Sequence, residues 1–325
     1  MALTPIDEIH ALQIQAGTIG RNAGHKFEEA IAAAINTLRF PLTIRRPGGR
    51  QVFTGDPAEL LLQYVASTLE ITKLASASAI ATGALATSEE GKSWLNVNGV
   101  AVSRCKSDII LTLRQEKAGP QTVGVSIKQC SNARPTNAQL YFTTARGFAN
   151  LLLNNGLTVT EAALSSLRQF CGDIGFQPSD SLAVLIVRES DPRRFFWEEA
   201  DQHGIQEWQE LFSANQDEIT RLLLQKAYLG DPFTPEFLLH KTRRSTSWLT
   251  TEVAIYGIEE LISLSRIYQG FATRSYSVRK GRYRDPEGVA HLAPRFGVIQ
   301  MQRGGQKQHP EQLQFNLEAG YFYKI

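Results

Sequence analysis

Cysteine is scarce in this chain of 325 residues, with three in all, Cys105, Cys130 and Cys171. They form no even framework and no Cys-x-x-Cys pair. This excludes a disulfide scaffold and a structural zinc site, and it points to buried thiols in a reducing compartment. Long apolar runs are also missing. Even Leu182 to Val187, a pure stretch that none exceeds in length, is far short of the ~18 residues that suggest a membrane-crossing helix. Met1-Ala2-Leu3-Thr4-Pro5 has neither the basic start nor the apolar stretch of a secretory leader, so a soluble, cytoplasmic protein with no membrane partner is expected. The histidines (His10, His25, His203, His240, His291, His309) are scattered, and neither His-Glu-x-x-His nor Gly-x-Ser-x-Gly occurs. Zinc-hydrolase and nucleophile-elbow chemistries are thereby excluded, and His203 and His240 read as surface or capping residues. Ala86-Thr87-Ser88-Glu89-Glu90-Gly91-Lys92-Ser93 approaches a P-loop. It lacks the first glycine, puts two acids where phosphate would come, and follows no apolar strand, so it is rejected.

Net charge is small, +2, with 42% hydrophobic residues. A chain of this size and composition can bury a full core, as one large domain or two modest ones. The charge is unevenly distributed. Glu189 to Glu218 holds nine acids against two arginines, whereas Thr273 to Lys307 holds eight basic residues against Asp285 and Glu287. Segregation of this kind leaves room for a cationic cleft on a nearly neutral protein, as phosphate contacts require.

Residues 1 to 23 carry a short helical signal. Gly24 to Leu38 reads as an Ala-rich helix with the apolar stripe Phe27, Ile31, Ala34, Leu38. Glu28 shares a face with Ile31 and Ile35, while Glu29 turns toward solvent. Pro41 to Pro57 is a basic, Gly- and Pro-punctuated stretch, followed by a helix from about Ala58 to Thr72; Lys73 to Ser93 is compatible with further helix. Helices are expected at about 137–154, 159–173, 204–228 and 252–268. Leu182 to Val187 reads as a buried strand because six apolar residues in succession leave no solvated face. Thr273 to Arg284, Phe296 to Gln302 and Leu313 to Leu317 read as strands of a β-rich C-terminal part.

The centre of interest is Lys106-Ser107-Asp108-Ile109-Ile110-Leu111-Thr112-Leu113, followed by Thr122-Val123-Gly124-Val125-Ser126-Ile127-Lys128-Gln129. The second run alternates, with Val123, Val125 and Ile127 on one face and Gly124, Ser126 and Lys128 on the other. Charge and a Gly-Pro signal between the runs make the pair a hairpin, in which an acid and an amine converge if Asp108 faces the same side as Lys128. This hairpin resembles the catalytic hairpin of the PD-(D/E)xK nucleases, best known from type II restriction endonucleases. Asp108 matches the first acid and Ser126-Ile127-Lys128 the (D/E)-x-K, with Ser107 in place of the usual proline and Ser126 in place of the second acid. The Gly-x-x-Phe-Glu pattern of the early helix resembles the helix that lends many restriction enzymes a further metal-binding acid, here Glu28. Arg295 to Gly305 with Leu313 to Leu317 is similar to C-terminal segments of several restriction endonucleases.

The resemblance implies an α/β fold in which a central mixed sheet is flanked by helices, with a β-rich C-terminal part. Residues 1–268 would form the nuclease core, and 269–325 a segment packed on it that contributes to DNA binding. It implies a type II site-specific deoxyribonuclease that uses Mg²⁺ on double-stranded DNA. Such an enzyme acts as a homodimer alongside a cognate DNA methyltransferase in the same system, without a stable complex between them. Asp108, Glu28 and the backbone carbonyl of Ile127 would hold one metal ion. Lys128 would face the attacking water and the scissile phosphate, and Ser126 could hydrogen-bond a ligated water. Asn132, Arg134 and Asn137 would read bases or grip phosphate at the start of the following helix. Arg279, Lys280, Arg282, Arg284 and Arg303 would grip the backbone, and Arg243-Arg244 is a further basic candidate. A repair or recombination nuclease of the same fold and a non-catalytic DNA-binding protein remain as alternatives.

Overall fold

The computed structural model describes residues 24–48, 51–82, 95–102, 105–186 and 192–268, together with strand segments between 273 and 318. The first helix, α1, is described over residues 24–37. After it come β1 (Leu42–Thr43), β2 (Val52–Gly55), α2 (Pro57–Thr68), β3 (Lys73–Leu74), β4 (Ser76–Ala81), β5 (Leu95–Val97) and β6 (Val100–Val102). Next are β7 (Ile109–Arg114), β8 (Gln121–Gln129), β9 (Ala138–Thr144), α3 (Ala145–Leu153), α4 (Glu161–Cys171), α5 (Leu182–Ile186), α6 (Gln202–Ala214) and α7 (Gln216–Gln225). Then follow β10 (Pro235–Lys241), β11 (Thr251–Gly257), α8 (Ile258–Ser265), β12 (Thr273–Ser275), β13 (Arg279–Lys280) and β14 (Tyr283–Arg284). The last four are β15 (Ala290–Leu292), β16 (Arg295–Phe296), β17 (Ile299–Arg303) and β18 (Gln312–Leu317). Two compact units divide the chain, one of residues up to 138 with 224–261, the other of residues 139–223 with 262–317.

The first unit is built on a six-stranded mixed sheet in the order β2-β11-β10-β8-β7-β4. All neighbours are antiparallel except β8 and β10, which run parallel. Val123, Val125 and Ile127 of β8 lie in one apolar cluster with Ile109, Leu111, Leu239 and Ile255. Ile31 and Ile35 of α1 and Leu61 and Val65 of α2 complete that cluster, so both helices cover this face of the sheet. The α/β layout and the β7–β8 hairpin agree with expectation, as does the α1 phase: Ile31 and Ile35 are fully buried and Glu29 is exposed. On the other face, Ile110 packs with Val97 and Val102 of the β5–β6 hairpin. The tip of that hairpin docks through Asn98, whose Nδ2 donates to Thr112 Oγ1 at 3.0 Å and Thr122 Oγ1 at 2.9 Å, a cross-strand pair of β7 and β8. Asn98 adopts positive φ ahead of Gly99, as a tight Asn-Gly hairpin turn demands.

The segment Lys73 to Ala81 is not helical. It forms β3 and the sheet-edge strand β4, which pairs with β7 along Ser76 to Ala81. The outer side of β4 is closed by the Asn36 side chain, which donates to Ala79 O at 2.9 Å and accepts from Ala79 N at 2.8 Å. One amide thereby satisfies both backbone groups of Ala79 and blunts an edge that could otherwise template association.

The second unit holds α3, α4, α6 and α7 and a four-stranded sheet in the order β16-β17-β18-β9. Its core is aromatic: Phe148 lies 4.8 Å from Phe315 and 5.6 Å from Trp208, centroid to centroid. Trp208 Nε1 donates to Ala163 O at 2.6 Å, so this buried indole keeps a partner. The expected C-terminal strands are present in β12, β13, β14, β17 and β18. Three expectations fail here. Residues 138–144 form a strand and not the start of a helix, because Ala138 and Leu140 alternate inward. Leu182 to Ile186 is one helical turn whose Leu182 and Ile186 are 74% and 76% exposed; an unbroken apolar run has no period that separates strand from helix. The helix expected at 204–228 breaks at Asn215, the C-cap of α6.

Candidate functional site

The site arises from a mismatch in strand length. β8 continues to Gln129, whereas its partner β7 begins only at Ile109, opposite Val125. Asp108 N still donates to Val125 O at 2.9 Å, and Asp108 O accepts from Thr82 N. Beyond that point no strand residue remains on the β7 side to satisfy Ile127. The backbone groups of Ile127 are met by side chains instead. Asp108 Oδ2 accepts from Ile127 N at 2.5 Å, and Lys128 Nζ donates to Ile127 O at 2.8 Å. Lys128 Nζ also donates to Asp108 Oδ2 at 3.1 Å, and Ser126 Oγ to the same oxygen at 3.2 Å. The Lys128–Asp108 pair is only 18% and 22% exposed, so the charges act on each other with little screening.

Glu28, in the first described turns of α1, is 7% exposed, and its Oε2 has no hydrogen-bond partner. Burial, then the Asp108 carboxylate, raises its pKa to about 8, against an opposing pull from Lys128. A carboxyl that is buried, unpartnered and repelled by a second acid would be relieved by a cation. The Lys128 ammonium already sits between Asp108 Oδ2 and Ile127 O, which marks where positive charge is favoured. Two carboxylates and a carbonyl are hard oxygen donors of the kind that suit Mg²⁺. Among the described residues no group of three His, Cys, Asp or Glu side chains gathers for a metal, so the Ile127 carbonyl is needed to complete the donor set.

His240 lies in β10 directly beside Lys128 in the parallel register. It is fully buried, which overturns its reading as a surface or capping residue; burial, then Lys128, pushes its pKa down to about 4. At neutral pH it therefore adds no second cation beside Lys128. His203 is exposed and pairs with Glu207 one helical turn on, at 3.3 Å. Cys130 and Cys171 are buried and Cys105 is partly so.

Sequence reasoning missed the structure immediately before Asp108. Lys106 N donates to Asp231 Oδ2 at 2.7 Å, Phe233 N donates to Asp231 Oδ1 at 2.9 Å, and Ser107 Oγ donates to Phe233 O at 2.6 Å. The Phe233–Thr234 backbone crosses so near to β8 that a Cβ on Gly124 would meet Thr234 O at 2.7 Å and Phe233 O at 2.9 Å. Only glycine fits at 124. Ser107 uses its hydroxyl to tie this crossing to the strand that carries Asp108. The half-buried Lys106 has its pKa lowered to about 7, by burial first and then by Lys128.

The loops leaving the carboxyl ends of the parallel strands β8 and β10 adjoin. Cys130 N donates to Lys241 O at 2.8 Å and Arg244 N to Asn132 O at 2.7 Å. Cys130 Sγ, 3.4 Å from Asn132 N and 3.2 Å from Thr136 Oγ1, holds the first loop in shape. Asn132, Arg134 and Asn137 are exposed there, next to Lys128 in the chain, and the loop leads into β9 and not into a helix. Arg243 is spent on Glu252 at 2.7 Å. Arg244 is exposed and, among the described residues, makes no ion pair. Arg279, Lys280 and Arg284 belong to the short β13–β14 ladder, and Arg303 ends β17 opposite Leu313. Arg282 lies outside the described residues, as do residues 1–23 and the P-loop-like stretch.

Among the described residues no helix is long and apolar enough to cross a membrane. No family model matches the chain and no curated protein matches it. Among solved structures, the chain is similar to restriction endonuclease MspI in complex with its cognate DNA, with 12% identity over 93% of this chain and 92% of that one and a TM-score of 0.49.

Proposed function

We propose that this protein is a Mg²⁺-dependent endonuclease that cuts double-stranded DNA at a specific sequence, in the manner of a type II restriction enzyme. One observation carries the reading: Asp108, Lys128 and the Ile127 carbonyl meet at the open end of a strand pair, beside the buried, unpartnered Glu28 carboxyl. Asp108, Glu28 and Ile127 O would hold one ion. When bound, Mg²⁺ supplies a polarised water and neutralises charge developing on the phosphoryl and leaving 3′ oxygens. Lys128 orients the water and stabilises the negative charge that builds as the new oxygen–phosphorus bond forms and the bond to the 3′ oxygen breaks. Ser126 keeps Asp108 Oδ2 in place and can hydrogen-bond a ligated water, but brings no charge. With serine there and one acid on the hairpin, one strongly held ion is favoured over two.

Asn132, Arg134 and Asn137 are exposed on the loop that leaves the catalytic strand, well placed for base edges or phosphates. The basic strands of residues 269–325, with Arg279, Lys280, Arg282, Arg284 and Arg303, would add backbone contacts. A homodimer would match a palindromic site and cut both strands, with a cognate DNA methyltransferase in the same system.

Arg244 joins the DNA-contacting set on the strength of its link to Asn132, and its neighbour provides a control. Arg244→Ala is expected to lower the slope of log affinity against log salt by about 0.9, the signature of one lost phosphate contact. Arg243→Ala should leave that slope unchanged, because its charge is already taken by Glu252. Equal slopes for both variants, read from fluorescence anisotropy, would remove Arg244 from the interface.

The deciding experiment incubates the purified protein with phage DNA and Mg²⁺ and resolves the products on an agarose gel. Discrete fragments are expected. A featureless smear would indicate a repair-type nuclease, and intact DNA with retained binding a non-catalytic DNA-binding protein.

A further inference from the structure

We propose that Lys241 is a phosphate-binding residue of this site, taking a backbone phosphate that flanks the one Lys128 addresses; this rests on the DNA-cleaving reading given above. Lys241 ends β10 and stands opposite Gln129, the last residue of β8, in the parallel register. It continues the face of Phe237 and Leu239, which pack in one apolar cluster with α1. The ammonium is placed by that helix: Lys241 Nζ lies 5.1 Å from the centroid of the Phe27 ring. Trp248 meets Phe27 edgewise at 6.0 Å and fixes the ring in turn. Phe27 directly precedes Glu28. Gln129 reaches the same turn of α1, since a Cβ on Gly24 would lie 3.9 Å from Gln129 Nε2 and 3.8 Å from Glu28 Oε1.

Among the described residues the half-buried Lys241 makes no ion pair, and its three N–H groups have no acceptor. Glu252, one residue along β11 from the partner of Lys241, is taken by Arg243 at 2.7 Å and by the Thr242 hydroxyl. The ring holds the ammonium in place without using any of its hydrogen-bond donors. A positioned cation with open donors therefore stands at the carboxyl ends of the two strands whose loops carry Asn132, Arg134 and Arg244. Adjacent strands lie about 4.8 Å apart, and a phosphodiester chain presents anionic groups in regular succession. A strand led to Lys128 on β8 thus brings a flanking phosphate to β10. Because the Lys241 stem already rests on Phe27, little freedom is lost when that phosphate arrives. The Gln129 amide beside it can donate to the same oxygens.

The test measures binding without a divalent ion, so that it does not depend on cleavage. Full-length wild type, Lys241→Met, Lys241→Gln and Lys241→Arg are titrated by anisotropy against a long mixed-sequence duplex between about 50 and 200 mM salt. Lys73→Met is the control, because Lys73 stands at the turn end of the β7–β8 hairpin, paired with Glu116 at 3.0 Å. The two uncharged Lys241 variants are expected to bind on the order of tenfold more weakly, with the salt slope lowered by about 0.9. Lys241→Arg and Lys73→Met should keep the wild-type slope. Lys241→Met retains an unbranched stem over Phe27, so its thermal midpoint should match that of the wild type. Unchanged affinity and slope in an uncharged variant that folds would overturn the proposal and leave Lys241 a cover for the Phe27 ring. A slope lowered equally by Lys241→Arg would point to displaced chain, and one lowered equally by Lys73→Met to general loss of charge; either would also overturn it. Wild type that binds but never cuts DNA would defeat the nuclease reading alone. Wild type that does not bind DNA would defeat both.

Discussion

Asp108→Ala is expected to reduce cleavage at least about 10³-fold, the scale on which a central charge-organising group contributes. Three donors converge on Asp108 Oδ2, from Ile127 N, Ser126 and Lys128. The substitution therefore removes a proposed metal ligand and also frees the Lys128 ammonium from the place where it faces the reacting phosphate. Lys128→Met should cost activity on a similar scale while leaving the Asp108 and Glu28 oxygens in place. The two variants differ in a second readout. Asp108 raises the Glu28 pKa and Lys128 lowers it, so Asp108→Ala should bring Glu28 down from about 8 and Lys128→Met should push it higher. Cleavage by Asp108→Ala at more than a tenth of the wild-type rate, scored by the disappearance of supercoiled plasmid, would place the chemistry elsewhere. Both variants should stay folded, because the surrounding apolar cluster of β7, β8, α1 and α2 does not depend on either charge.

Alternation and turn chemistry are local signals, and where they operate the placement of the candidate residues could be read from the amino acids alone. Val123, Val125 and Ile127 alternate with Gly124, Ser126 and Lys128 and end as core and opposite face of β8. Glu28 follows Ile31 and Ile35 into the protein by helical phase. What escaped is set by contacts distant in sequence. β10 is a central strand with Leu238, Leu239 and His240 all buried, so both faces are covered and no alternation marks it; His240 was misread for that reason. Thr251 to Gly257 runs straight into Ile258 to Ser265, and with only Gly257 to mark the junction strand and helix read as one helix from 252. The same fusion hid β9 ahead of α3. β4 is made of small residues apart from Ile80, Ser76-Ala77-Ser78-Ala79-Ile80-Ala81, and becomes a strand through pairing with β7 and the Asn36 bridge.

Distant contacts also set the geometry of the candidate site. A sequence can name Asp108 and Lys128, but only the late start of β7 relative to β8 explains why they meet, since it exposes Ile127 N and O for them to satisfy. The brace from Asp231 and Phe233 has no periodic signature in the chain. It is separated from Lys106 by 125 residues, and no spacing rule connects the two. Gly124 is its one trace in the sequence, a position where the crossing backbone leaves no room for a side chain.

Glu28→Gln is expected to separate stability from function by pH. The carboxyl titrates near 4.5 in the unfolded chain and at about 8 in the fold. Below pH 4.5 both states hold the proton, and burying Glu28 carries no ionisation cost. As pH rises toward 8 the unfolded chain releases its proton while the fold retains it, so stability falls across that window, and above it the full cost is present. Glu28→Gln cannot ionise. It should flatten the decline and, at pH 9, exceed the wild type by on the order of 3 kcal/mol in urea unfolding. Cleavage should move the opposite way. Metal binding needs the carboxylate, so the apparent Mg²⁺ affinity of the wild type should rise by up to about tenfold per pH unit below 8 and then level off. Glu28→Gln should lose that rise together with most of its activity, and Glu29→Ala should behave as wild type, because Glu29 is exposed. Loss of cleavage in Glu29→Ala with retention in Glu28→Gln would reverse the assignment. A wild-type stability flat between pH 5 and about 8 would mean that Glu28 is not held protonated by its burial beside Asp108.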